Sequence, residues 1–223
     1  MKPSHLLLFS FFIYCSISSS AQAEYTLQLK NENIHVQANI RKALVDSFNL
    51  KALRFQQKTF AIIQFETLPT EATKKLLSTN GVELLEYIPN NAYTASISGS
   101  PSAEVLEHSK ARTIFLPSPE QKMDARLVSG NFPSSAVKVS GTVDVWISFA
   151  RTFSPQDVVN NLTQLNFDIL STQYQHYRII SIRVAASRLK ELAGLPFVEY
   201  VQAAPGDDQP LNFNSRSASR ATS

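Results

Sequence analysis

The sequence predicts an α+β chain built from two similar βαββαβ units in tandem. Three observations carry this. Phe60-Ala-Ile-Ile-Gln-Phe65 returns as Asp144-Val-Trp-Ile-Ser-Phe149. Gly81-Val-Glu-Leu-Leu85 returns as Asn166-Phe-Asp-Ile-Leu170. Each copy then continues through a strand, a short helical segment and a last strand. A repeat of about 84 residues is too long for a solenoid unit and suits a small domain.

The first 23 residues read as a secretion signal. Lys2 is followed by an apolar run from Leu6 to Ile17, too short to span a bilayer comfortably, and Ala21-Gln22-Ala23 fits the A-x-A cleavage pattern. Cleavage is expected between Ala23 and Glu24, leaving a secreted or periplasmic protein with no membrane segment. Cys15, the single cysteine, lies inside this signal, so the mature part has to be held by its cores without disulfides. A formal net charge of +3 gives no indication of a nucleic-acid partner.

Residues 24–58 form a lead-in segment. Alternation around Asn31-Glu32-Asn33 allows a short hairpin from Tyr25 to Val36, and Arg41 to Phe55 has helical spacing. The first unit spans 59–119. Ala61, Ile63 and Phe65 share one strand face. Thr70 is a good N-cap with Glu71 in the first turn, and Gly81 stands where a helix ends. Val82 to Ile88 and Ala92 to Ser98 are strands about a Pro89-Asn90-Asn91 turn. Ser102 opens a helix through His108, and Thr113 to Leu116 is the last strand.

Residues 120–141, rich in Ser, Pro and Gly, are predicted as a linker. The second unit spans 142–204. Val143, Val145, Ile147 and Phe149 share a face. Ser154-Pro155-Gln156-Asp157 combines an N-cap, a proline at N1 and an acid at N3. Strands are expected over Phe167–Tyr174, Tyr177–Val184 and Phe197–Gln202, with a helix marked by Leu189 and Leu192 and ended by Gly194. Residues 205–223 form a tail.

A βαββαβ unit of the ferredoxin-like kind puts two helices on one face of a four-stranded antiparallel sheet. The other face is left bare. In the second unit that face is expected to carry Trp146, Ser148, Tyr177 and Ile179; in the first, Ile62 and Gln64. Exposed aromatics there would make a partner surface. The alternative is that the lead-in segment or the other unit covers them.

Chemistry-bearing patterns are sparse. His35, His108 and His176 have no second ligand at metal spacing, and no nucleotide loop or nucleophile elbow occurs. Asp207-Asp208 sits in turn chemistry between Gly206 and Gln209-Pro210. No catalytic residue, metal ligand or cofactor is assigned, and the chain is not expected to be an enzyme.

Phe60 to Phe65, with Gly81-Val-Glu-Leu-Leu-Glu-Tyr-Ile-Pro-Asn-Asn-Ala-Tyr93, resembles the amino-terminal prodomains of secreted bacterial subtilisin-like serine peptidases, in particular the fervidolysin-like type. The resemblance runs from about Thr59 to the C-terminus and includes Leu211-Asn-Phe-Asn-Ser-Arg216. The peptidase motifs Asp-Thr-Gly, His-Gly-Thr and Gly-Thr-Ser are missing. The chain is therefore expected to be either a truncated precursor or a free-standing inhibitor. The resemblance implies a folding template and inhibitor whose partner is a subtilisin-like peptidase domain, in cis or in trans. The bare sheet face would pack on the peptidase, and Gln202-Ala203-Ala204-Pro205 would lie in its substrate cleft. The reading from another class is a secreted, non-enzymatic peptide-binding or adhesion scaffold.

Overall fold

Apolar alternation, caps and turn residues place the elements of the first unit. In a computed structural model, which describes residues 25–30, 32–36 and 40–206, they form β3 (Lys58–Phe65), α2 (Glu71–Thr79), β4 (Val82–Ile88), β5 (Ala92–Ser98), α3 (Ala103–His108) and β6 (Ala111–Phe115). The expected signal segment, its Ala23–Glu24 cleavage position and the tail beyond Gly206 lie outside the described residues. The sheet order is β4-β5-β3-β6, all pairs antiparallel. Thr70 accepts a hydrogen bond from Thr73 N and starts α2. Asn90 and Asn91, both at positive φ, make the tight β4–β5 turn. Gly81 has φ +79°, and a Cβ there would meet the Ser98 carbonyl oxygen at 2.7 Å, so glycine is needed between α2 and β4.

The lead-in segment wraps both faces of this sheet. β1 (Thr26–Gln28) and β2 (Asn33–His35) form an antiparallel hairpin, and α1 (Lys42–Lys51) follows. α1 buries Val45 and Phe48 in the helix-side core with Ile63, Phe65, Leu77, Ile97, Leu106 and Ile114. The hairpin crosses to the other side, where Leu27 packs on Ile62 and Ala92. Asn90 donates to Thr26 O, and the Arg112 guanidinium lies 3.3 Å over the Tyr25 ring. Ile62 and Gln64, expected on a face that could be open, are therefore buried. Gln64 turns its amide to Asn90 O at 2.9 Å.

The second unit repeats the order: β7 (Thr142–Phe149), α5 (Pro155–Gln164), β8 (Asp168–Ser171), β9 (Ile179–Ala185), α6 (Leu189–Gly194) and β10 (Val198–Ala203). Its sheet runs β10-β7-β9-β8, again antiparallel. Ser154 accepts from Asp157 N at 3.1 Å, with Pro155 opening α5. Both units thus have the same strand order in mixed α+β architecture.

One boundary differs from the expectation. β8 stops at Ser171, a short 3-10 turn occupies Gln175–Tyr177, and β9 starts at Ile179. Tyr177 is thus not on a strand. The chain has to reverse between β8 and β9, and the residues for the turn come out of the apparent strands. Arg178, at φ 62°, supplies the left-handed step that no glycine marks.

Residues 120–141 are folded onto the second unit. Met123 forms a parallel bridge with Val201, Asp124 N donates to Val201 O at 2.8 Å, and Val201 N donates to Lys122 O at 2.7 Å. Met123, Leu127 in α4 (Ala125–Val128) and Ala136 are buried in the second core. The units also meet directly. Phe60 and Leu85 of the first join that same core. The Phe55 ring lies 5.0 Å from Phe197 and 5.4 Å from Phe153.

Leu27→Ala should uncover Ile62 and Ala92. Emptying a buried leucine site costs about 2–5 kcal/mol, so the melting temperature should fall clearly. A melting temperature equal to the parent would show that the hairpin contributes nothing to the seal.

Candidate functional site

Two places hold the candidate functional groups. The first is the helix-free face of the second sheet. Alternation places Asp144, Trp146 and Ser148 of β7 on it, opposite Arg183, Ser181 and Ile179 of β9. From β10, Tyr200 stands beside Ser148 and Gln202 beside Trp146. Trp146, Ser148 and Ile179 are half-buried. Tyr177 is 75 % exposed but projects from the turn. Tyr174, at 42 % exposure, sets its ring 5.5 Å from the Trp146 indole. Leu170, in the β8 irregularity, is exposed as well. The face closes at one end with Arg183 donating to both carboxylate oxygens of Asp144 at 2.7 and 2.9 Å.

The segment expected to fill a peptidase cleft is partly tied down. Gln202 is exposed, Ala203 is buried within β10, and Ala204 N donates to Asp144 O at 2.9 Å. The strand thus runs one residue beyond Gln202, and Pro205 and Gly206 after it are exposed.

The second place is a cleft of about 270 Å³ at the seam between the units. Its walls come from the hairpin (Leu29, Lys30), the first sheet (Phe60, Ile62, Glu86, Ile88) and the second sheet with its linker (Lys122, Ser148, Glu199, Tyr200). Ser148 therefore joins the cleft to the exposed face. Lys122 is buried and donates to Leu195 O and Val198 O, both at 3.0 Å, tying the linker to the turn after α6. Burial lowers its pKa to about 7, with the nearby Glu199 charge opposing. Burial likewise raises Glu199, against the Arg178 charge. Arg178 reaches Glu86 at 3.7 Å and Glu199 at 4.0 Å, linking the units.

Sequence reasoning missed Tyr174, Lys122, Arg178 and Glu199. Tyr174 was absorbed into a strand. The β-bulge between Val198 and Tyr200 turns Glu199 out of simple alternation, and no local pattern marks it. Among the described residues no group of three or more His, Cys, Asp or Glu could hold a metal, and no helix is long and apolar enough to cross a membrane.

A family model described as a domain of unknown function (DUF8729) matches residues 28–117, about two fifths of the chain. The match takes in most of the hairpin, α1 and every strand and helix of the first unit, the elements that the structure packs around one sheet. No curated protein and no solved structure matches the chain.

Lys122 gives a pH test. Its ordinary value is 10.5 and its value in the fold about 7, so its buried charge burdens the fold fully below about pH 7. That burden lifts as the pH rises from about 7 towards 10.5. Over this window the parent should gain stability relative to Lys122→Met. Parallel denaturation midpoints for the two proteins across the window would contradict the assignment.

Proposed function

We propose that this protein is a prodomain-like folding template and inhibitor of a subtilisin-like serine peptidase. In this reading each unit is ferredoxin-like, and the second is the docking unit. The observation that carries it is an asymmetry between two like sheets. The helix-free face of the first is largely covered by Leu27 and by the second unit. The corresponding face of the second keeps half-buried Trp146 and Ile179 beside exposed Tyr174 and Tyr177. Aromatic residues on a rigid sheet are suited to anchor an interface.

The resemblance to peptidase prodomains supports the same assignment of faces. Ser148 and Gln202 flank Trp146 with polar groups, and Pro205 starts the segment that would enter the substrate cleft as an added strand. The inhibitor reading needs no catalytic group in this chain.

Truncation of an aromatic hot spot costs about 2 kcal/mol or more. Trp146→Ala should therefore weaken inhibition roughly 30-fold, at ~1.4 kcal/mol per factor of ten. Tyr174→Ala, at a more exposed position, should weaken it with less effect on folding. The assay is inhibition of a subtilisin-like catalytic domain by each form, with melting curves in parallel. Folded variants that inhibit as well as the parent would remove the face from the interface. A parent that inhibits no such peptidase would overturn the proposal in favour of a secreted binding scaffold.

A further inference from the structure

The seam cleft is apolar along its walls and balanced in charge. Leu29, Phe60, Ile62, Ile88 and Pro117 supply the apolar lining. Two cations and two carboxylates also line it: Lys30, Lys122, Glu86 and Glu199. All are engaged. Lys122 Nζ donates to two backbone carbonyls, and Lys30 lies 4.0 Å over the Tyr200 ring. Arg178 stands 3.7 Å from Glu86 and 4.0 Å from Glu199. A charged ligand would leave water for a space that offers it no unmatched opposite charge.

One polar atom of the cleft is open. Ser148 is half-buried in β7, and its hydroxyl has no hydrogen-bond partner among the described residues, yet it is not sealed from solvent. The other uncharged polar side chains of the walls are used or lie in solvent. Thr94 Oγ1 accepts from Glu86 N at 2.9 Å, Gln121 Nε2 donates to Glu32 at 2.7 Å, and Gln28 is exposed. A hydroxyl covered by a purely apolar ligand loses its water and gains nothing. A ligand with one hydrogen-bonding atom at that point keeps it satisfied, and sites of this kind discriminate against the analogue that lacks the atom. An apolar cavity of about 150 Å³ accepts benzene. The cleft, at about 270 Å³, therefore holds one ring with a short substituent. Phe60 and Tyr200 put rings in its walls, and ring contacts add to the gain from burial.

We propose that the seam cleft is a binding site for a neutral phenol-like group, its ring on Phe60, Ile62 and Ile88 and its one hydrogen-bonding atom on Ser148 Oγ. A free small phenol and the tyrosine side chain of a partner share this chemistry. The site is formed by the first unit as much as by the second, and it does not depend on the second sheet face being a peptidase surface.

The test uses the whole chain and five probes: para-cresol, toluene, benzylamine, benzoate and acetyl-Ala-Tyr-Ala-amide. Affinity is read by calorimetry and location by amide chemical shifts. Para-cresol should shift the amides of Leu29, Ile88 and Ser148. Benzylamine and benzoate should bind roughly tenfold or more weakly, since neither charge is matched. Toluene should bind roughly two- to tenfold more weakly than para-cresol, the yield of one hydrogen bond. Ser148→Ala should bring para-cresol down to the affinity of toluene and leave toluene unchanged, whereas a merely structural role would weaken both. Leu29→Trp fills the cleft from the hairpin and should abolish binding of every probe, which keeps the test valid should Ser148→Ala fail to fold. Tighter binding of the peptide than of para-cresol identifies a partner's tyrosine as the source; the reverse identifies a free phenol. Toluene or a charged probe bound as tightly as para-cresol overturns the proposal. So does unchanged para-cresol affinity in the folded variants, or the absence of cleft shifts with any probe.

Discussion

A sheet with all its helices on one side has to find something for its other side, and that constraint organises this molecule. The first sheet satisfies it with two different covers. The hairpin lays Leu27 on Ile62 and Ala92, and the second unit takes Phe60 and Leu85 into its own core. Where the two covers meet, neither fills the space fully, and the seam cleft results. The second sheet, having lent its edge and loops to this task, leaves its own helix-free face turned outward. The location of the cleft and that of the aromatic face are thus two outcomes of a single packing problem.

The seam is also where charge is taken out of water. Removing a lysine from solvent is unfavourable unless its donors are used. Lys122 meets that condition by reaching Leu195 O, just after α6, and Val198 O, at the start of β10. Those contacts fix where 120–141 lies against β10. On the opposite wall Arg178 holds Glu86 of one unit and Glu199 of the other at ion-pair distance. Geometry of this kind specifies a relative placement that apolar contact alone, through Phe55, Phe153 and Phe197, would leave looser.

Local chemistry made much of the fold legible. β4 and β5 begin and end where alternation and the Asn90-Asn91 turn place them, and Ser154-Pro155 opens α5 as its cap chemistry requires. The hairpin and α1 also followed from alternation and helical spacing. What local chemistry does not contain is the cover of a face. Ile62 and Gln64 have the same neighbours in sequence whether a hairpin lies over them or not. The reversal at Gln175–Tyr177 was illegible because its left-handed residue is an arginine. Lys122 stands in a Ser-, Pro- and Gly-rich stretch whose composition reads as a tether, while its burial is decided by residues more than seventy positions away. Of the candidate face, Trp146, Ser148 and Ile179 fall on one side of β7 and β9, whereas Tyr174 takes its place only through the turn.

The parallel bridge between Met123 and Val201 has a consequence for the order of events along the chain. The lead-in and first unit are complete in sequence by Phe115, and their contacts close early. The second core cannot close until β10 arrives, because its last strand pairs with its first and receives Met123 from outside. Until then Phe55, Phe60 and Leu85 have no permanent cover. Contacts between distant positions form slowly, and uncovered apolar surface in a half-finished chain invites association with other chains. Emergence of the stretch Val198–Ala203 is therefore the event that ends the period in which this protein is most open to aggregation.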